Sequence, residues 1–350
     1  MTNYRDVKKA FGRQVESHQI CWRGESNLLK GDFGFYRGEP REHILPEAHW
    51  MQSIWEPIRT ALDQYIAVHQ IQPSTQKNNL KSSWVQCINI FFAIKYNPDV
   101  RRLFVSFLSR QLGIKVTSIE ALEFEYAAPG NLEPKRLLGE QGGSRGSGQT
   151  SPDVAVIFGC EDGKSGIYLI ENKYTEHHFY ECSGADTKPS RGHVSMGLQP
   201  NDNLDRCHDV VSVYRNPHGM CHQQEWGRYY WDLLMSSIDE DSLIACGVCP
   251  ALTNGYQLFR QQAYAQGIAD SGLFDFVISG VAYDQRNVAL IGCLEDIGLQ
   301  NFANDWSRLF NTSVKFHCFT HQELVSWITR SRSNFVKEWG QYVKDRYDYK

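Results

Sequence analysis

Two carboxylates and an ammonium held close together can gather a divalent cation and order a water beside it, and residues 151–176, SPDVAVIFGCEDGKSGIYLIENKYTE, carry such a set. Asp153 follows Pro152, and Glu171 and Lys173 flank Asn172. A hard cation such as Mg²⁺ takes oxygen ligands from one or two carboxylates and keeps several waters. A nearby Lys can orient one of those waters and help to deprotonate it. The chemistry this points to is metal-assisted hydrolysis.

Positioning these groups falls to two strands. The apolar, β-branched runs 154–158 and 166–170 are separated by the polar turn Glu-Asp-Gly-Lys-Ser-Gly, the pattern of a hairpin. Side chains alternate across a strand, so Glu171 and Lys173 share a face with Leu169, while Ile170 and Asn172 point the other way. Asp153 opens the first strand as Glu171 and Lys173 end the second, which sets all three at strand ends.

Pro152-Asp153, seventeen intervening residues and then Glu171-Asn172-Lys173 resemble the PD-(D/E)XK motif of the restriction-endonuclease-like nuclease superfamily. A second Pro-Asp pair, Pro98-Asp99, leads into a helical pattern, whereas Pro152-Asp153 leads into a strand and then a strand ending in Glu-x-Lys. The resemblance implies an α/β fold with an α-β-β-β-α-β core, a central mixed sheet flanked by helices. It also implies a Mg²⁺- or Mn²⁺-dependent DNA endonuclease of the restriction or anti-phage kind. In that reading Asp153, Glu171 and the Asn172 carbonyl hold the metal, and Lys173 positions the attacking water. Many members place a further acid near the metal, often on the first helix, but residues 80–96 contain none.

The pattern of residues 116–126 predicts the first strand, with Leu122, Phe124 and Tyr126 on one face and Glu123 and Glu125 on the other. Either glutamate can supply the extra acid, and Glu125 lies nearer the strand end. Between this strand and the motif runs the Gly-rich stretch 139–150, expected to be flexible. Residues 143–150 nearly spell a phosphate-binding P-loop, but Gln149 stands where a Lys is needed and a strand, not a helix, follows. That excludes a nucleotide-hydrolysis reading and leaves a mobile loop whose Arg145 and backbone N–H groups meet a DNA phosphate. Further on, a helix opening at Tyr256 and reaching about Ala269 presents Arg260 and Gln261 as candidate DNA contacts.

After Lys173 a long polar segment, 181–219, holds Cys182 and Cys207, and Cys221 and Cys249 follow. These four thiols can converge on Zn²⁺ or an iron-sulfur cluster, pinning a segment that otherwise has little core. Cys207 and Cys221 each precede a His, which raises a cysteine-hydrolase reading. Adjacent residues on a loop rarely set a nucleophile-base geometry, so it ranks below nuclease chemistry. The other alternative is a DNA-binding or assembly module that does not cut.

The chain of 350 residues is 41% hydrophobic, enough for a sizeable core, and its net charge of −4 gives no global basic face. DNA binding must then rest on a local patch or a partner, either a second copy or a subunit of a defence complex. The first residues lack the apolar core of a signal peptide and no apolar run spans a bilayer, so a cytoplasmic protein without membrane contact is expected. The expected organisation is an N-terminal loop and helical extension over 1–79, in which Cys21 to Glu25 read as loop. A nuclease core follows over 80–265, with a Cys-containing insertion at about 177–222. A C-terminal α/β extension over 266–350 packs on that core. An amphipathic helix is expected over 223–234, strands over 242–249, 274–283 and 288–294, and helices over 301–310, 321–330 and 335–347.

Overall fold

In the computed structural model, which describes residues 4–185, 197–203 and 205–349, alternate residues of the predicted hairpin enter two different cores. Val154, Val156, Phe158, Tyr168 and Ile170 pack on one side of the sheet, and Ala155, Ile167 and Leu169 on the other. Both faces of the hairpin are buried, which is why its strands read as continuous apolar runs. They are β4 (Val154–Cys160) and β5 (Ser165–Lys173), preceded by a small hairpin, β1 (Gly34–Tyr36) with β2 (Glu39–Arg41), and by β3 (Val116–Phe124). With β6 (Phe276–Tyr283) and β7 (Lys315–Thr320), they form a five-stranded sheet in the order β3-β4-β5-β6-β7. The first three strands are antiparallel, and β6 and β7 are added parallel to β5.

One core is closed by helices α1 (Tyr4–Glu25), α2 (Arg59–His69), α3 (Ser83–Cys87), α4 (Ala93–Tyr96) and α5 (Pro98–Leu112). A π-helical turn, Ile88–Phe92, joins α3 to α4, and Asn97 caps α5 by accepting from the Asp99 and Val100 N–H groups. The opposite core is built on α6 (Tyr256–Asp270), the crossover helix before β6. Helices α7 (His321–Ile328) and α8 (Asn334–Tyr347) return to the first side, so Trp339 and Tyr347 pack with Trp84 and Phe91. The arrangement is the mixed α/β sheet flanked by helices that the motif implied.

Several expectations are corrected. Residues 21–25 form the last turn of α1, and the helix expected over 223–234 is two short ones, His222–Glu225 and Tyr230–Leu234. They are interrupted at Gly227, whose φ of 75° is left-handed. The helix that crosses back to the sheet is α6. Residues 242–249 are not a strand: Asp239 accepts from the Ser242 N–H and starts a helix, Glu240–Ala245, whose acidic first turn suits the helix dipole. Residues 288–294 likewise hold a helix, Val288–Ile291, capped by Asn287. The last strand is β7, whose Lys315 and His317 obscure its apolar pattern. A core boundary at 265 would cut the sheet, since β6, which bonds to the motif strand β5, and β7, which bonds to β6, both lie beyond it. No helix among the described residues is long and apolar enough to cross a membrane.

Candidate active site

Strand register brings the acids together. Phe124 pairs with Val154, and Val154 with Ile170, so one residue further along the same row lie Glu125, Asp153 and Glu171. The Glu125 N–H donates to the Asp153 carbonyl at 3.0 Å and the Asn172 N–H donates to Asp153 Oδ2 at 2.7 Å. All three side chains, with Lys173, line one cavity of ≈ 770 Å³ walled by Ser83, Trp84, Gln257 and Arg260.

Of the two candidate glutamates, Glu125 is the one in the cleft. Its φ of 48° is left-handed and breaks the alternation of β3. Phe124 therefore packs in one core and Tyr126 in the other, although the sequence pattern placed them on the same face. Glu123 is held outside by the Tyr65 hydroxyl at 2.7 Å, Arg145 Nη2 at 3.0 Å and Lys95 Nζ at 3.5 Å. Gly146 allows this arrangement. A Cβ there would stand 2.7 Å from the Gln72 carbonyl and 3.1 Å from Glu125 Cδ, on a backbone of φ 84°.

Electrostatically the row is unfavourable without a cation. Burial, then Glu171 and then Glu125 raise Asp153 well above the usual carboxylate range. Burial and Glu171 push Glu125 up to about 8. Buried carboxylates that repel one another are hard-oxygen donors of the kind a divalent cation such as Mg²⁺ takes, although among the described residues no three potential ligands stand arranged to hold an ion. Lys173 is 3% exposed, with Nζ 3.0 Å from Glu171 Oε1. Burial alone would lower its pKa, but Glu171, Glu176 and Asp153 outweigh burial and hold it above the ordinary lysine value.

Gln257, on the first turn of α6, completes the set. Lys173 Nζ donates to Gln257 Oε1 at 2.7 Å, while Gln257 Nε2 donates to Glu171 Oε1 at 3.0 Å. One amide thus fixes both members of the Glu-x-Lys pair.

The family model described as restriction endonuclease associating with ARP matches residues 16–348. This chain belongs to that family. No curated protein and no solved structure matches it. Membership in a restriction-endonuclease family and the mixed sheet agree with the superfamily resemblance read from the motif.

The remaining candidates of this restriction-endonuclease family member are distributed unevenly. Arg260 faces the cleft, its guanidinium 4.8 Å from the Tyr256 ring centroid and its buried Nε without a hydrogen-bond partner among the described residues. Gln261 turns inward, and its Nε2 donates to the Leu169 carbonyl at 3.1 Å and the Gly280 carbonyl at 3.0 Å, tying β5 to β6. Arg145 does not reach for a phosphate. Besides Glu123 it holds the Phe124 and Glu125 carbonyls, and its own carbonyl accepts from the Gln72 N–H, so the Gly-rich loop is fastened to β3. Gln257 escaped the sequence reading, although it shares a helical face with Arg260 and Gln261 at spacings of three and four, which was the available signal. Cys182, Cys207, Cys221 and Cys249 are all buried in the core around α6. Part of the polar segment between Cys182 and Cys207 lies outside the described residues.

Proposed function

We propose that this protein is a metal-dependent DNA endonuclease that hydrolyses phosphodiester bonds in a restriction or anti-phage setting. The observation that carries the reading is the row Glu125, Asp153 and Glu171 at adjacent strand ends, with the Lys173 ammonium 3.0 Å from the last of them. Asp153, Glu171 and the Asn172 carbonyl would hold the cation, with Glu125 as the further acid. Bound there, a divalent cation supplies Lewis acidity toward the scissile phosphate. Lys173, protonated and fixed by Gln257, holds the attacking water by hydrogen bonding and offsets the charge that develops on the phosphate. Arg260, a cleft cation whose buried Nε has no acceptor among the described residues, would receive a phosphate oxygen of the DNA backbone. DNA is the partner this cleft suits. A second copy of the chain, or the associated protein that the family's description names, is the remaining partner reading.

The test is cleavage of plasmid and of single-stranded DNA by the purified protein in Mg²⁺, Mn²⁺ and EDTA. Nicking or linearisation that needs a divalent ion and disappears in Asp153→Asn is the expected result. Tight DNA binding with no cleavage in either metal would instead assign a binding module.

A further inference from the structure

Between β5 and α6 four cysteines stand on four different loops, and hydrogen bonds join those loops in pairs. The Cys249 N–H donates to the Cys207 carbonyl at 2.9 Å, and the Cys182 N–H to the carbonyl of Ala251, two residues beyond Cys249, at 3.0 Å. The side-chain amide of Gln223, two residues beyond Cys221, donates to Cys182 Sγ at 3.5 Å. Exposures of 6% for Cys182, 5% for Cys207, 7% for Cys221 and 4% for Cys249 place all four inside one apolar cluster with Trp231.

Donors converge on these sulfurs. Backbone N–H groups of Gly184, of Gln223 and Gln224, and of Ala251 address Cys182, Cys221 and Cys249 respectively, each set beginning two residues beyond its cysteine. The Trp231 side chain also donates to Cys221. A neutral thiol is a weak acceptor, whereas a thiolate uses such donors fully. Four thiolates cannot persist in that core without a cation.

The surrounding segment is built from short elements packed on the core. Its helices between residues 210 and 245 are four to six residues long, too short to be stable alone. We propose that Cys182, Cys207, Cys221 and Cys249 bind one structural Zn²⁺ that staples this segment to the sheet. An all-sulfur tetrahedral set with no open position is what a structural zinc site requires. Among the described residues no three potential ligands stand arranged to hold an ion, so binding requires the sulfurs to turn toward one centre on their loops, and binding energy then becomes folding energy. Cys246 is outside the set, because its Sγ donates to the Ser242 carbonyl of its own helix at 3.5 Å.

The experiment is metal analysis of the full chain, independent of DNA cleavage. One zinc per chain is expected, with a zinc absorption-edge spectrum showing four sulfur neighbours at about 2.3 Å. Cys182→Ser, Cys207→Ser, Cys221→Ser and Cys249→Ser each lose the zinc, and Cys246→Ser keeps it. If a serine variant does not fold, the wild-type sulfur shell decides alone. A metal-free native protein, a shell of nitrogen and oxygen, iron with visible absorption, or zinc retained in all four variants overturns the proposal.

Discussion

His321 Nε2 sits 2.9 Å from Asn172 Oδ1, behind the strand end that carries Glu171 and Lys173. The Asn172 amide nitrogen donates forward to the Ser83 carbonyl at 3.0 Å and to Gln86 Oε1 at 2.7 Å, so its oxygen must face His321. His321 is therefore the donor through a protonated Nε2. Its Nδ1 has no hydrogen-bond partner among the described residues, and burial lowers its pKa to about 3, so the ring stays neutral. The Asn172 main chain in turn fixes Asp153. His321→Ala leaves a buried amide oxygen unpaired and opens a cavity, an expected loss of about 3 kcal/mol in urea unfolding. His321→Gln, which restores a donor, should recover most of it.

Gln257 is expected to act on rate more than on folding. Gln257→Ala removes one donor to Glu171 and one acceptor from Lys173 at a cleft that water can enter. Stability should change by less than about 1 kcal/mol, while cleavage falls about tenfold in kcat, as expected when one transition-state contact is lost. Gln257→Glu sets a second carboxylate against Glu171 and should be worse than Gln257→Ala. Steady-state cleavage kinetics with parallel urea curves check both.

The hairpin of β4 and β5 was legible because both strands are buried on both faces and the turn between them is wholly polar. The faces of Glu171, Lys173 and Asn172 followed from alternation. The third acid was only half legible, since a left-handed Glu125 reverses the face of everything after Phe124, and no composition signal marks such a residue. The Cys246 segment misled because a short capped helix and a strand look alike over six residues, and the Asp239 cap was the better guide. Arg145 was misplaced because its partner, Glu123, is brought beside it only by the fold.

Arg145 and Arg260 should separate cleanly. The Arg145 side chain is 19% exposed and bound to Glu123, so Arg145→Ala should lower stability by about 1–2 kcal/mol and leave DNA affinity at fixed ionic strength within about twofold. Arg260→Ala removes a cleft cation and should weaken DNA binding about tenfold, with a shallower salt dependence. Arg260→Lys should restore part of the affinity. Equal effects of the two alanine variants on DNA binding would reverse these roles.

His43 should mark the acid limb of stability. Burial, with Lys81 and Arg41 beside it, lowers its pKa to about 4 against the opposing pull of Glu16. Because the folded pKa is depressed, the unfolded chain binds the proton first. This contribution is present above pH ~6.5 and is lost as pH falls toward 4. Discounted for partial solvent access, it is worth about 1 kcal/mol. His43→Gln should therefore unfold at lower urea than wild type at pH 7.5, with the gap narrowing by pH 4.5. A gap that stays constant would mean that His43 titrates normally.

DNA affinity should rise when a carboxylate is removed from the row. Glu125, Asp153 and Glu171 line the cavity where a phosphate must sit, and the chain as a whole carries a net charge of −4. At an effective dielectric near 20, like charges about 4 Å apart cost roughly 4 kcal/mol, more than one peripheral cation offsets. Asp153→Asn keeps an acceptor for the Asn172 N–H and removes a carboxylate that would otherwise have to ionise beside the phosphate, so the fold should hold while cleavage stops. Glu171→Gln and Lys173→Ala should also stop cleavage. Combining any two should add little, because the groups act as one unit. Titrating DNA at fixed ionic strength against wild type and Asp153→Asn, each in EDTA and in Ca²⁺, should give the weakest binding for wild type in EDTA. Either the substitution or the cation should tighten it. Equal affinities in all four conditions would mean that DNA does not approach this cleft, and cleavage persisting in all three single variants would remove the site.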